Sequence, residues 1–124
     1  KTTTQLSRII EDVIPFRERR RRASHPATKT FLALRVAVNY EFDNLTTALQ
    51  KASQVLSGGG RIAVITFHSL EDRIVKETFK SMAAVGGWKI ITRKPLIPSQ
   101  SELELNPRAR SAKLRVIEKL KEGV

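Results

Sequence analysis

Apolar residues along this chain fall into two rhythms. From Leu6 to Leu56 they return every three or four positions, and beyond Arg61 they form short runs and alternations. Helices are therefore expected first and strands later. Leu6, Ile9, Ile10 and Val13 predict a short amphipathic helix over 5–14, with Thr4 as its cap and Pro15 as its stop. Residues 16–25 read as a connector. Pro26 suits the first turn of a second helix, because its missing N–H has no intrahelical partner there. That helix is expected to run to Asn39 and to bury Phe31, Leu34 and Val38. Phe42, Leu45, Leu49, Ala52 and Leu56 repeat the spacing over 42–56, and Ser57-Gly58-Gly59-Gly60 ends the run.

The pattern then changes. Residues 61–67 are mostly apolar and β-branched without alternation, as in a parallel strand covered on both faces. A polar switch follows at once, and Leu70, Ile74, Val75 and Met82 resume helical spacing until Gly86-Gly87. Ser69 stands three residues before Asp72, which predicts a cap in which the hydroxyl accepts an early helical N–H and the carboxylate reaches back. Residues 88–93 form a second strand, and 94–110, with Pro95, Pro98 and Pro107, a long connector. Ala112, Leu114 and Val116 alternate with Lys113 and Arg115, so 112–120 reads as a strand with one wetter face. The order is helices, then β-α-β-loop-β. In open α/β sheets ligands gather beyond the carboxyl ends of strands, which places Phe67, His68, Ser69, Glu71 and Asp72 where chemistry is expected.

Composition narrows the class. The 124 residues suit about one domain; 40% are hydrophobic and 6% aromatic, enough for one modest core. A net charge of +11 and a pI near 10.7 point to a polyanionic partner. The absence of cysteine excludes disulfides and thiolate metal sites and fits a reducing, cytoplasmic setting. No apolar run reaches the roughly 18 residues of a membrane span. The opening Lys1-Thr-Thr-Thr, without Met and directly before a helix, reads as part of a longer protein.

The glycine run 58–60 does not read as a phosphate cradle. Such loops follow a strand and open a helix, and this one does the reverse, so it reads as a helix cap and tight turn. The Arg17–Arg22 run, close to His25 and Lys29, is either a solvated connector or a cation cluster for nucleic acid. Asn106-Pro-Arg-Ala-Arg-Ser-Ala-Lys113 is either a turn into the last strand or a second basic surface. His25 reads as a polar helix start. His68 suits a general base, a substrate contact or a hydrogen-bonded spacer, while the helix dipole alone accounts for Glu71 and Asp72. No metal-ligand set and no Ser/His/Asp set is recognisable.

Three blocks then carry a specific resemblance: Arg22-Ala-Ser-His-Pro-Ala-Thr-Lys-Thr-Phe-Leu-Ala-Leu-Arg-Val-Ala-Val-Asn39, the stretch from Gly59 to Lys76, and Asn106-Pro-Arg-Ala-Arg-Ser-Ala-Lys-Leu-Arg-Val116. In order and over nearly the whole chain they resemble the RsmH/MraW family, bacterial S-adenosylmethionine-dependent methyltransferases acting on N4 of a cytosine in small-subunit (16S) ribosomal RNA.

The resemblance implies the C-terminal part of a class I (Rossmann-like) methyltransferase sheet, of α/β class, plus the end of an inserted helical domain. Residues 1–25 would be the end of that insert with its basic connector, and 26–124 the C-terminal part of the methyltransferase domain. The strands would be the fifth and the last two of the sheet, the final one antiparallel. The family's cofactor loop and catalytic segment find no counterpart here, so most of the S-adenosylmethionine pocket would lie elsewhere and the chain alone would be inactive. The resemblance places His68, Ser69 and Glu71 on the target-base side, with Asn39 and Asp72 supporting them. Arg19, Arg20, Arg21, Arg22, Lys29, Arg108 and Arg110 would meet RNA phosphates. The rival reading is a non-enzymatic RNA- or ribosome-binding module, and an exposed strand edge would permit a homodimer.

Overall fold

The strand expected at 61–67 forms over Arg61–Thr66 (β1) and leads into a helix over Ser69–Val85 (α5) in the computed structural model, which describes residues 2–21 and 24–121. Four helices precede it: Thr3–Val13 (α1), Phe16–Arg21 (α2), Thr28–Asn39 (α3) and Glu41–Val55 (α4). After α5 come Trp88–Ile90 (β2), Gln100–Leu105 (α6), a 3-10 turn over Pro107–Ser111, and Lys113–Lys119 (β3). The chain divides into two compact units, residues 1–41 and 42–124.

In the first unit Thr2 rather than Thr4 caps α1. Its hydroxyl accepts the Gln5 N–H while the Gln5 side chain accepts the Thr2 N–H, a reciprocal box. The connector expected after Pro15 is in part helical, because the Pro15 carbonyl accepts from the N–H groups of Glu18 and Arg19 and starts α2. The expectation that α3 buries Phe31, Leu34 and Val38 is not met: no residue of α3 is buried, and Leu34 and Val38 stand 47% and 73% exposed. Tyr40 closes α3 in the left-handed region at φ 51°.

In the second unit the sheet order is β1-β3-β2, and β3 runs antiparallel to both neighbours, so the last strand lies between the other two. β1 pairs with β3 from Arg61↔Glu118 to Thr66↔Lys113. Its other edge carries no strand among the described residues. Leu49 of α4, Ile62 of β1, Val75 and Phe79 of α5, and Ile117 of β3 make the core, with Val75, Phe79 and Ile117 essentially sealed from water. Only the α5 side of β1 is covered. Ile62 and Thr66 are buried while Ile65 and Phe67 are 60% and 56% exposed, so burial on both faces is not found in this chain.

β2 stops at Ile90 instead of continuing to 93. The N–H groups of Ile91 and Thr92 both donate to the Val116 carbonyl, and the Thr92 hydroxyl accepts the Val116 N–H, so two residues oppose one and the ladder ends. The glycine run is the tight turn its order implies: Gly59 takes φ 85°, and a Cβ on Gly60 would lie 2.6 Å from the Leu56 side chain. Lys119 at the end of β3 donates to the carbonyls of Ser53 (3.2 Å) and Leu56 (2.8 Å) and lies over the Trp88 ring, tying the open end of α4 to the sheet.

Candidate functional site

The turn joining β1 to α5 is built by His68. Its extended backbone, φ −140° and ψ 162°, makes it the cap and Ser69 the first helical residue. The reciprocal partner is therefore Glu71, three residues on, rather than the Asp72 expected from a cap at Ser69. Glu71 N–H donates to His68 Nδ1 at 3.4 Å, and Glu71 Oε2 accepts from the N–H groups of Phe67 (3.0 Å) and His68 (3.3 Å). With Nδ1 accepting, the neutral ring carries its proton on Nε2. That nitrogen is buried 3.2 Å from Glu71 Oε1 but off the line of a hydrogen bond. The ring also leans on Phe42, centroids 6.0 Å apart. Ser69 sits exposed at the head of the helix.

Asp72 turns the other way. Arg115 donates to both carboxylate oxygens, Nε to Oδ1 at 2.7 Å and Nη2 to Oδ2 at 3.1 Å, and the Lys113 ammonium lies 3.7 Å from Oδ2. Asp72 and Arg115 are both buried, at 8% and 7% exposure. The Arg115 hydrogen bonds, helped by the Arg115 and Lys113 charges, hold the Asp72 carboxyl below its ordinary value against the opposing effect of burial. The face of β3 expected to be wet thus points beneath α5, and Arg115 is a site residue that sequence reasoning missed. A signal existed: Arg115 shares a strand face with the core residue Ile117, and Asp72 shares a helix face with Val75 and Phe79.

The cationic residues divide. In the first unit the Arg19 guanidinium donates to the carbonyls of Glu11 and Ile14, closing the end of α1. Arg20 is exposed, its guanidinium 5.5 Å from the centre of the Phe16 ring. Arg21 ends α2; Arg22 lies outside the described residues. Lys29 is exposed near the start of α3, and Asn39 at its end donates to Glu41 at 3.3 Å. In the second unit Arg108 and Arg110 are exposed on the 3-10 turn, which Asn106 caps by accepting the Arg108 N–H. His68, Glu71 and Asp72 are brought together with Ser69 in one turn. No helix among the described residues is long and apolar enough to cross a membrane.

Comparison with known proteins fits this arrangement into a family. The profile of the MraW methylase family matches residues 1–120. The chain is 48% identical over 134 residues to "Ribosomal RNA small subunit methyltransferase H" of Natranaerobius thermophilus, covering 96% of this chain and 42% of that protein. It is 52% identical over 120 residues to the protein of the same name from Kosmotoga olearia, covering 97% and 40%. The Maridesulfovibrio salexigens protein of that name is 45% identical over 133 residues, covering 95% and 41%. The chain spans about two-fifths of the length of the curated relatives it matches.

Proposed function

The chain belongs to the MraW methylase family, and we propose that the protein containing it transfers a methyl group from S-adenosylmethionine to N4 of a cytosine in small-subunit ribosomal RNA. In this reading residues 26–124 are the C-terminal part of the methyltransferase α/β domain, 1–25 the end of a helical insert, and the chain alone is inactive. The observation that carries it is the family match over residues 1–120, joined by relatives named as ribosomal RNA small subunit methyltransferases. The basic balance of +11 agrees with an RNA substrate, and a cytoplasmic location goes with this reading.

The glycine run follows a helix, and Gly58 and Gly60 are packed against Lys121 and Leu56 rather than open to a ligand. In this reading the chain contributes to the acceptor side. The lone pair of an exocyclic cytosine amine is delocalised into the ring, so a site that offers acceptors to its N–H groups favours the pyramidal, nucleophilic form. The base must also leave its stack to reach such a site. The Ser69 hydroxyl and the Glu71 carboxylate, with its side chain 22% exposed, are the acceptors at the carboxyl end of β1, and His68 holds Glu71 through the cap. Holding the amine in line supplies much of the acceleration. Asn39 and Asp72 support this set, and Arg19, Arg20, Arg21, Arg22, Lys29, Arg108 and Arg110 meet phosphates.

The test is labelled methyl transfer from S-adenosylmethionine to small-subunit RNA by the complete protein encoded by the gene. Incorporation that falls sharply in His68→Ala supports the reading. Absence of transfer with RNA binding retained would replace it by a non-enzymatic RNA- or ribosome-binding module.

A further inference from the structure

We infer that Arg115 is a positioning residue for the His68–Glu71 turn. By holding both oxygens of Asp72 it fixes the first turn of α5 on the final strand, and with it the imidazole and carboxylate of the cap. The inference rests on the proposed function for its kinetic meaning and on geometry alone for its structural one.

Apart from the Phe42 ring against His68, the turn is tied to the fold at two points, and both are on β3. Pairing of β1 with β3 ends at Thr66↔Lys113, where the buried Thr66 hydroxyl donates to the Lys113 carbonyl at 3.4 Å. Phe67 and His68 lie beyond the ladder, and their N–H groups go to Glu71, within the turn itself. The next attachment to the sheet is Asp72, whose N–H donates to the His68 carbonyl at 3.2 Å and whose carboxylate is gripped by Arg115. The core contacts of Val75 and Phe79 begin one turn later and hold the body of the helix rather than its head.

The chemistry of the grip is specific. A planar guanidinium engaging a carboxylate through two bonds fixes its plane as well as its place, whereas an ammonium is a point charge. Lys113 shows the contrast: its nitrogen sits 3.7 Å from one oxygen only, and its side chain is 37% exposed. Replacing Arg115 by lysine therefore keeps the charge and loses the orientation.

The experiment uses the complete protein with nitrogen-15 in its histidine rings, the His68 signals being those lost in His68→Gln. Ring nitrogen shifts report which nitrogen carries the proton. In folded Arg115→Lys the His68 signals are expected to leave the Nε2-protonated pattern. Asp72→Asn reads the same contact from the other side and is expected to do likewise, and the double variant should lose no more than the worse single one. Lys113→Gln should leave the His68 signals in place. Single-turnover methyl transfer should fall roughly tenfold or more in Arg115→Lys, with RNA affinity changed less than about threefold. A folded Arg115→Lys or Asp72→Asn protein with unchanged His68 signals overturns the inference. If wild type transfers no methyl, the proposed function fails, and the His68 signals still decide the role of Arg115.

Discussion

Replacing Asp72 by asparagine should cost the fold about 3 kcal/mol at neutral pH, and that cost should shrink in acid. The side chains of Asp72 and Arg115 are 12% and 8% exposed, so the pair sits largely out of water. Removing one charge from a buried pair leaves the other uncompensated, at about 3–5 kcal/mol. Asparagine still offers Arg115 one acceptor, which favours the lower end. Lys113, 3.7 Å away, adds a second positive charge that loses the Asp72 counter-charge. Loss of an anion near the start of α5 contributes about 0.5 kcal/mol more.

The pH dependence has a definite sign. The folded carboxyl titrates below its ordinary value of 3.8, chiefly because Arg115 bonds to the charged form. The folded protein therefore binds this proton less tightly than the unfolded chain. Its contribution is complete above 3.8 and is lost as pH falls through the folded value. The gap between wild type and Asp72→Asn should narrow by about 1.4 kcal/mol per pH unit below that point until the folded value is passed. Urea unfolding of both proteins across the acid range measures it. A gap under about 1 kcal/mol at neutral pH, or one that stays constant into acid, would refute the assigned pair.

Three further outcomes are expected. Tyr40→Asn should stabilise the first unit by about 0.5–1 kcal/mol, because φ 51° suits asparagine and the tyrosine ring is 67% exposed; thermal unfolding reads it. Phe79→Ala should cost about 3–5 kcal/mol, since its ring is 2% exposed in the core of the second unit; a loss under about 1 kcal/mol in denaturant titration would contradict the packing described. Replacing Arg108 and Arg110 together by glutamine should lower the slope of log affinity against log salt for RNA by about 1–2, and an unchanged slope would remove both from the interface.

The sequence made much of this visible, and the misses share a cause. The helix–strand order, the turn at 58–60 and the stop at Gly86-Gly87 follow from short-range patterns, and the antiparallel last strand from the family resemblance. Placing the cap at Ser69 failed because hydroxyl side chains dominate helix starts, while here an imidazole nitrogen does the accepting. Reading Lys113 and Arg115 as a wet face failed because alternation gives the two faces of a strand without saying which one a helix will cover. A carboxylate 43 positions away decided it. The exposed Leu34 and Val38 show the converse limit: periodicity predicts an apolar stripe, not what lies against it.

Methyl transfer to a cytosine amine would be read in the RNA product. Small-subunit RNA treated with the complete protein and S-adenosylmethionine would be digested to nucleosides and resolved by mass against standards. N4-methylcytidine is expected, absent from untreated RNA and strongly reduced when Glu71 is replaced by glutamine. A methyl group on a ring carbon or on another base, or none at all, would contradict it.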